Sequence, residues 1–131
     1  MGSCIFCGIA RHNTPHHEIV WESPAHVAFL DINPSKTGHT LVIPRAHSAN
    51  VSELTEEDHA ELFRACREVS VLLKQSLEAD LIATVIEGTS VPHTHVHLIP
   101  LKRGEKLAHF ENHRASAQEL ECVATRIRRV A

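Results

Sequence analysis

Three histidines at every second position constrain this chain more than any other feature. His93, His95 and His97 stand in the run PHTHVHLIP, where threonine, valine and leucine alternate with them. Successive side chains of a β-strand point to opposite faces of the sheet, so this spacing would place the three imidazole rings side by side on one face. In an α-helix the same residues would scatter around the axis. The pattern therefore predicts a strand that presents three imidazoles together.

The rest of the chain predicts an antiparallel sheet around that strand. Strand patterns occur over HEIVWE and VAFLD, joined by a tight turn at Pro24, and again over HTLVIP and DLIATVIE. A hairpin, a strand, a helix and then two adjacent strands is an order typical of an α+β fold with a mainly antiparallel sheet.

Two amphipathic helices are indicated by their N-caps. Thr55 and Asp58 have the spacing of a capping box, and so do Ser116 and Glu119. After each cap, apolar residues recur at steps of three or four, which predicts one long helix and one shorter, C-terminal helix. The run CIFCGIA, at residues 4–10, predicts a short helical turn.

Composition narrows the class of protein. With 131 residues, of which 43 % are hydrophobic and 22 % charged, the chain is expected to form one soluble globular domain over residues 1–131. A net charge of -3 argues against a broad surface for nucleic acid, so no nucleic-acid partner is expected. No apolar segment is long enough to cross a membrane, and the layout of a secretory signal is missing. Four cysteines in such a chain favour a cytoplasmic location over a disulfide scaffold.

The three histidines admit three interpretations. They could form a polar strand face, although three in register seldom lack a function. They could hold a catalytic zinc ion, but residues four apart on a strand are separated by roughly 13 Å, so one ion would reach both outer rings only with difficulty. They could also serve nucleophilic catalysis on phosphorus, because a neutral imidazole attacks without a separate base.

In the third interpretation the central ring is the nucleophile. His95 would attack, His97 would donate hydrogen bonds to phosphate oxygens, and a neighbour would hold the proton on the far nitrogen of His95. Just before the triad, the backbone N–H of Gly88 and the hydroxyl of Ser90 could contact the phosphate or the leaving group.

The same residues resemble the histidine triad (HIT) superfamily. PHTHVHLIP has its alternation of histidines and hydrophobic residues, and CIFCGIA and VAFLDINPSKTGHTLVIPRAHSANVSEL extend the likeness over nearly the whole chain. The resemblance implies a five-stranded antiparallel sheet. It also implies a nucleotide-binding hydrolase or transferase that cleaves at the α-phosphorus through a nucleotidyl-histidine intermediate. The substrate would be a phosphoramidate, a dinucleoside polyphosphate or a phosphosulfate, and the alternative is a non-catalytic nucleotide-binding or interaction protein on the same fold.

The resemblance also assigns roles to individual residues. It makes His95 the nucleophile, His97 a phosphate contact and His39 a supporting histidine, with Ser90 beside the leaving group. Asp31 matches the residue that takes the ribose hydroxyls, for which two carboxylate oxygens suit a vicinal diol. Apolar walls around a base, expected to be a purine, would come from Ile5, Phe6, Ile9, Phe29 and Ile32. Plain core packing is the alternative for each of these five.

A structural zinc site is implied as well. Many family members hold zinc with a C-x-x-C pair near the N-terminus, the histidine of a PRAHS-like run and the first triad histidine. Here those ligands are Cys4, Cys7, His47 and His93. Two thiolates and two imidazoles suit a closed tetrahedral zinc site. A redox C-x-x-C is the alternative, but that motif normally follows a strand, and none precedes Cys4.

The chain departs from the family before the triad. TVIEGTSVPH is shorter than the usual loop, lacks its asparagine, and has Thr89 where glutamine is common. Substrate preference is therefore not carried over. The family also implies a homodimer, formed through the long helix and the strand beside it. Histidines that match no motif are expected at the solvated surface, and these are His12, His16, His17, His26, His59, His109 and His113.

Overall fold

The computed structural model describes residues 4–14 and 17–131. Within them the strands are β1 (Ile19–Glu22), β2 (His26–Leu30), β3 (Thr40–Pro44), β4 (Leu81–Val85) and β5 (Val96–Leu101), and the α-helices are α1 (Ile5–Ala10), α2 (Glu56–Leu77) and α3 (Ala117–Val130). Short 3-10 turns occur at Val51–Glu53 and Leu107–His109. No helix of the described residues is both long and apolar enough to cross a membrane.

The strands form one five-stranded sheet in the order β1-β2-β3-β5-β4. Every neighbouring pair is antiparallel. The predicted α+β class and five-stranded antiparallel sheet are therefore confirmed. Because β3 and β5 are neighbours in the sheet, residues that are far apart in the sequence come into contact there.

The two long helices cover one face of the sheet. Thr55 Oγ1 accepts a hydrogen bond from the Asp58 N–H at the start of α2, 3.1 Å away. Ser116 and Glu119 form a reciprocal capping box at the start of α3. The apolar stripes of both helices pack on Ala28, Leu30, Val42, Val96 and Leu98 of the sheet. Since α2 and α3 bury this face, the site must lie on the other face or at an edge.

Helix α1 covers part of the opposite face. Phe6, Ile9 and Ala10 pack against alternate residues of β2 and β3, namely Val27, Phe29, Leu41 and Ile43. This second apolar cluster is smaller than the first, and it includes no residue of β5.

The triad strand begins later than predicted. Its pairing with β3 starts at Val96, so His93 and His95 precede β5 and only His97 lies in it. In the register of β3 and β5, Thr94 would come opposite Pro44, which has no N–H to donate. The Thr94 N–H instead donates to the carbonyl oxygen of Ser48, 2.7 Å away. The chain therefore turns away from the sheet at His93.

The predicted surface position holds for most histidines outside the motifs. Those exposed are His12, His59, His109 and His113, and His17 is half-buried. The prediction is wrong for His26, which is buried because it begins β2, a strand covered along its whole length. His16 lies outside the described residues.

Candidate catalytic site and metal centre

A cluster of titratable side chains lies where β2 ends and β3 begins. Asp31 directly follows β2 and His39 directly precedes β3, and the Asp31 N–H donates to the His39 carbonyl oxygen at 2.9 Å. Pairing of β3 with β5 places Leu41 opposite His97. His39 and His97, 58 positions apart in the chain, consequently meet with ring centroids 5.1 Å apart.

One backbone contact, through the hydrogen bond between the rings, fixes the proton positions on His39 and His97. The Ser35 N–H donates to His39 Nδ1 at 3.0 Å, so that nitrogen must be unprotonated. In the neutral ring the proton then sits on Nε2, which lies 2.9 Å from His97 Nδ1. His97 Nδ1 therefore accepts, and neutral His97 carries its own proton on Nε2. The relay leaves the Nε2–H of His97 available as a donor.

Burial keeps both rings neutral near pH 7. Loss of solvation lowers the pKa of His39 to about 4, and the nearby Asp31 carboxylate only partly opposes this. Burial also lowers the pKa of His97, with a further contribution from His95, while the Asp31 and Glu87 carboxylates act in the opposite direction. At neutral pH the pair is therefore a hydrogen-bonded relay and carries no net charge.

The orientation of His95 is set by its own neighbour in the chain. Its Nδ1 lies 2.7 Å from the carbonyl oxygen of His93. A carbonyl only accepts, so Nδ1 carries the proton and the Nε2 of the neutral ring keeps its lone pair. The ring centroid is 5.0 Å from that of His97 and 5.1 Å from that of Phe6, both edge to face. An unprotonated nitrogen therefore lies beside a ring that can donate.

The Asp31 carboxylate is held at the rim of this cluster. Its Oδ1 accepts from the Asn33 N–H at 2.8 Å, and its Oδ2 lies 3.6 Å from His39 Nε2. The side chain is half-buried, so it combines a fixed orientation with access to solvent.

The five apolar candidates for a base pocket do not share one surface. Phe6, Ile9 and Phe29 belong to the smaller apolar cluster and are 7 %, 1 % and 1 % exposed. Ile5 is 47 % exposed at the start of α1. Ile32 packs against the larger cluster, under α2 and α3. Ile5 is thus the most exposed of the five, Ile32 is half-buried, and Phe6, Ile9 and Phe29 are buried.

The two candidates in the loop before the triad, Gly88 and Ser90, have different surroundings. Gly88 has a φ of +79°, and a Cβ there would come 2.8 Å from the Asn50 side-chain nitrogen, so a larger residue would be strained. Ser90 is exposed and lines a cavity of about 670 Å³ with Cys4, Cys7 and His47. The structure therefore brings Ser90 to the cysteine cluster.

The four predicted zinc ligands do converge. The ligand atoms of Cys4, Cys7, His47 and His93 all lie within 4.8 Å of one another. Three sulfur–nitrogen distances are 3.3 Å, 3.4 Å and 3.5 Å. Tetrahedral zinc with ordinary bond lengths separates a sulfur from a nitrogen ligand by about 3.6 Å. The donor set and its spacing therefore fit one tetrahedral ion.

The tautomer of His93 also suits a metal ligand. Its Nε2 lies 2.9 Å from the Pro44 carbonyl oxygen, so Nε2 carries the proton and the lone pair of Nδ1 faces both cysteines. Burial and the adjacent Cys4 raise the pKa of the Cys7 thiol. A bound cation would favour the thiolate, because it offsets both effects.

The orientation of the three triad rings tests the alternative that they hold one catalytic zinc ion. The Nδ1 of His93 faces the cysteines, whereas His95 lies against His97, and His97 is hydrogen-bonded to His39. His39 and His97, which also lie close to Asp31, share a hydrogen bond that occupies both facing nitrogens. The three triad rings therefore do not point at one centre.

Two contributors to the site are backbone groups that the sequence does not reveal. These are the Ser35 N–H, which fixes His39, and the His93 carbonyl oxygen, which fixes His95. Side-chain patterns carry no signal for either. Glu87, whose charge acts on His97, also matches no motif. Each becomes visible only when the strands are paired.

Fold and site together define an α+β protein with a relay of neutral histidines at the strand ends. The family model described as HIT domain matches residues 13–104. This chain belongs to the HIT family.

Relatives and solved structures agree with that assignment. The chain is 39 % identical over 102 residues to an uncharacterised HIT-like protein of Saccharolobus solfataricus, covering 74 % of this chain and 73 % of the relative. It is 34 % identical over 99 residues to an adenosine 5′-monophosphoramidase of Schizosaccharomyces pombe, covering 75 % and 74 %. A zinc-bound histidine triad family protein from Mycobacterium smegmatis superposes with a TM-score of 0.84 at 27 % identity, covering 98 % of this chain and 93 % of that one.

Proposed function

We propose that the protein is a nucleotide-binding hydrolase or nucleotidyl transferase whose nucleophile is His95 Nε2. The supporting observation is the 2.7 Å contact of His95 Nδ1 with the His93 carbonyl oxygen, which leaves the other nitrogen unprotonated in the neutral ring. The substrate class is a nucleoside 5′-phosphoryl group joined to an amine, a phosphate or a sulfate. The monophosphoramidase activity named for the S. pombe relative supports the first of these.

In the first step a nitrogen–phosphorus bond forms at the α-phosphorus. His95 Nε2 supplies the electron pair, and the leaving group departs with the pair of its own bond to phosphorus. An amine leaving group takes a proton from solvent, whereas a phosphate or sulfate leaves as the anion. The Nδ1 proton stays on the ring, held by the His93 carbonyl. The Nε2–H of His97, directed by His39, donates to a phosphoryl oxygen as charge develops there.

In the second step water replaces the imidazole. Its oxygen bonds to phosphorus, the nitrogen–phosphorus bond breaks, and its pair returns to Nε2. The products are a nucleoside monophosphate and one released proton. Transfer to another acceptor would follow the same route with a different nucleophile in place of water. Because the relay is neutral at both stages, it is ready for the next turnover without a change of protonation.

Nucleoside binding is proposed on the rim beside this cluster. Asp31, oriented by the Asn33 N–H, would accept from the ribose hydroxyls. Phe6, whose ring lies between those of His95 and Phe29, would form the wall of the base pocket with Ile5. A purine is the base we propose, with support from the adenosine named for the S. pombe relative. Ile9 and Phe29, in the same apolar cluster as Phe6, would then support the pocket from within, and Ile32 would pack on the other apolar cluster beside Asp31.

The test is to mix the protein with an adenosine phosphoramidate, quench, and measure intact mass. Wild type is expected to carry one nucleotidyl group in the first turnover and to release nucleoside monophosphate. His95→Asn is expected to lose the adduct and at least about 1,000-fold of the turnover while still binding AMP. His59→Asn, at an exposed position on α2, is the matched control. Binding of AMP by wild type without any adduct or turnover would establish the non-catalytic alternative.

We further propose that Cys4, Cys7, His47 and His93 hold a structural zinc ion. The spacing of the four ligand atoms and the zinc-bound M. smegmatis structure support this. The ion would join α1 to the loop after β3 and to the start of the triad. It would supply no catalytic chemistry, since four protein ligands leave no open position.

We also propose a homodimer in the cytoplasm, with residues 1–131 as one HIT domain. Strand β4 is at the edge of the sheet. Leu81 is exposed on β4, Ile86 is exposed just after it, and Val71 is exposed on the neighbouring helix α2. An apolar edge strand beside an apolar helix face favours pairing with a second copy. Free cysteines at positions 4, 7, 66 and 122 suit a reducing compartment.

A further inference from the structure

The segment after β5 is tied to the loop that carries Asp31. We call residues 102–116 the strap and residues 31–36 the ribose-side loop. The Ala115 N–H donates to the Ile32 carbonyl oxygen at 3.0 Å. Lys36 pairs with Glu105 and lies over the Phe110 ring, 5.1 Å from its centroid. The strap thus holds both ends of the ribose-side loop.

Asn112 holds the centre of the same loop. Its Nδ2 donates to the Asn33 carbonyl oxygen at 2.7 Å, and its Oδ1 accepts from the Ser35 hydroxyl at 3.1 Å. The two residues that it bridges are the two whose backbone N–H groups orient the site. Asn33 N–H holds the Asp31 carboxylate, and Ser35 N–H holds His39 Nδ1. One amide side chain therefore fixes the donors for both.

We propose that Asn112 is a positioning residue for the His39–His97 relay and for Asp31. Its side-chain hydrogen bonds go to Asn33 and Ser35, and it acts by keeping the Ser35 N–H aimed at His39. Asn112 lies beyond the residues 13–104 that the family model matches. The inference rests on the proposed function for its catalytic consequence, but its structural consequence at His39 does not.

Loss of the bridge has a specific expected effect. Without Asn112 the ribose-side loop relaxes, and the Ser35 N–H no longer commits His39 Nδ1 to accepting. His39 can then place its proton on either nitrogen, and His97 loses the donor that fixes its own tautomer. Asp31 and His97 are the titratable groups that face His39, so both belong in the measurement.

The experiment compares Asn112→Ala with Arg114→Ala. Arg114 is a neighbouring exposed residue whose side chain makes no hydrogen bond or ion pair with any residue in the described ranges. The imidazole ¹⁵N shifts of His39 and His97 are recorded against pH, and kcat and KM are measured with an adenosine phosphoramidate. In Asn112→Ala the His39 nitrogens are expected to shift toward tautomer-averaged values. Its kcat should fall about 3- to 10-fold, as for one lost net hydrogen bond. Arg114→Ala should match wild type.

A second variant separates positioning from general stability. Ser35→Ala keeps the backbone N–H but removes the hydroxyl that Asn112 binds, so it should reproduce part of the shift. Adding it to Asn112→Ala should then cause less than the sum of the two effects. Unchanged His39 shifts in Asn112→Ala would overturn the proposal, even if kcat fell. If wild type shows no turnover, the proposed function fails, while the ¹⁵N comparison still decides the role of Asn112.

Discussion

Burial of His39 makes a defined part of the folding free energy depend on pH. The folded pKa of about 4 lies below the ordinary value of 6.5 because the ring is desolvated. Where the folded pKa is lowered, the unfolded chain binds more protons between the two values, so stability falls as the pH falls. The part of the unfolding free energy that depends on neutral His39 is fully present above pH 6.5 and is lost progressively down to about pH 4.

The size of the effect follows from the two pKa values. The full difference between pKa 6.5 and about 4 corresponds to about 3 kcal/mol of unfolding free energy. From pH 7.5 to 5.5 the expected loss is roughly 1 kcal/mol, and from pH 7.5 to 4.5 it is roughly 2–3 kcal/mol. His39 is 3 % exposed, so solvent screening takes little from these values.

Urea unfolding at pH 7.5, 5.5 and 4.5, with zinc present throughout, measures this loss. His39→Gln removes the titrating ring, so its unfolding free energy should fall less with acid than that of wild type, by the amounts above. Buried histidines away from His39, such as His26 and His93, titrate in both proteins and cancel in the difference. His97 loses its partner in His39→Gln, so its own titration is followed separately by NMR. His59→Gln, at an exposed position, should follow wild type. If wild type and His39→Gln gave parallel pH dependences, the argument from burial would be refuted.

Two further perturbations test the metal centre and the oligomer. Chelation of zinc, or Cys4→Ser, is expected to lower the melting temperature. Adduct formation should persist below the lowered melting temperature, because the ligand atoms are distinct from His95 Nε2. Cys122→Ser is the control, and loss of adduct formation without loss of stability would contradict a structural role. Leu81→Arg should convert a dimer to a monomer in sedimentation velocity, whereas Val130→Arg, equally exposed on α3, should not; a dimer unaffected by the first would place the interface elsewhere.

Much of the fold follows from local patterns in the sequence. The cap spacing of Thr55 and of Ser116 locates the starts of α2 and α3, because a side-chain acceptor three residues ahead is a local requirement. Strand patterns bounded by turn-forming residues locate all five strands. The late start of β5 was not predicted, since it depends on Pro44 lying opposite Thr94, and that pairing arises only when β3 meets β5.

The candidate site divides in the same way. His39, His95, His97 and Asp31 carry a signal because their side chains form motifs. The base-pocket candidates show the limit, since residues an odd number of positions apart tend to face opposite sides of a sheet. Phe29 and Ile32 accordingly belong to different apolar clusters. Asn112 carries no motif, because its value depends on two loop atoms about eighty positions away.

His93 takes part in both centres with two chemically independent groups. Its ring nitrogen faces the cysteines, whereas its main-chain oxygen accepts a hydrogen bond from His95 Nδ1. Any amino acid at this position would still provide that oxygen. A related protein could therefore lose metal binding through one substitution at this position and keep an oriented His95. Metal binding and orientation of the nucleophile can accordingly evolve separately.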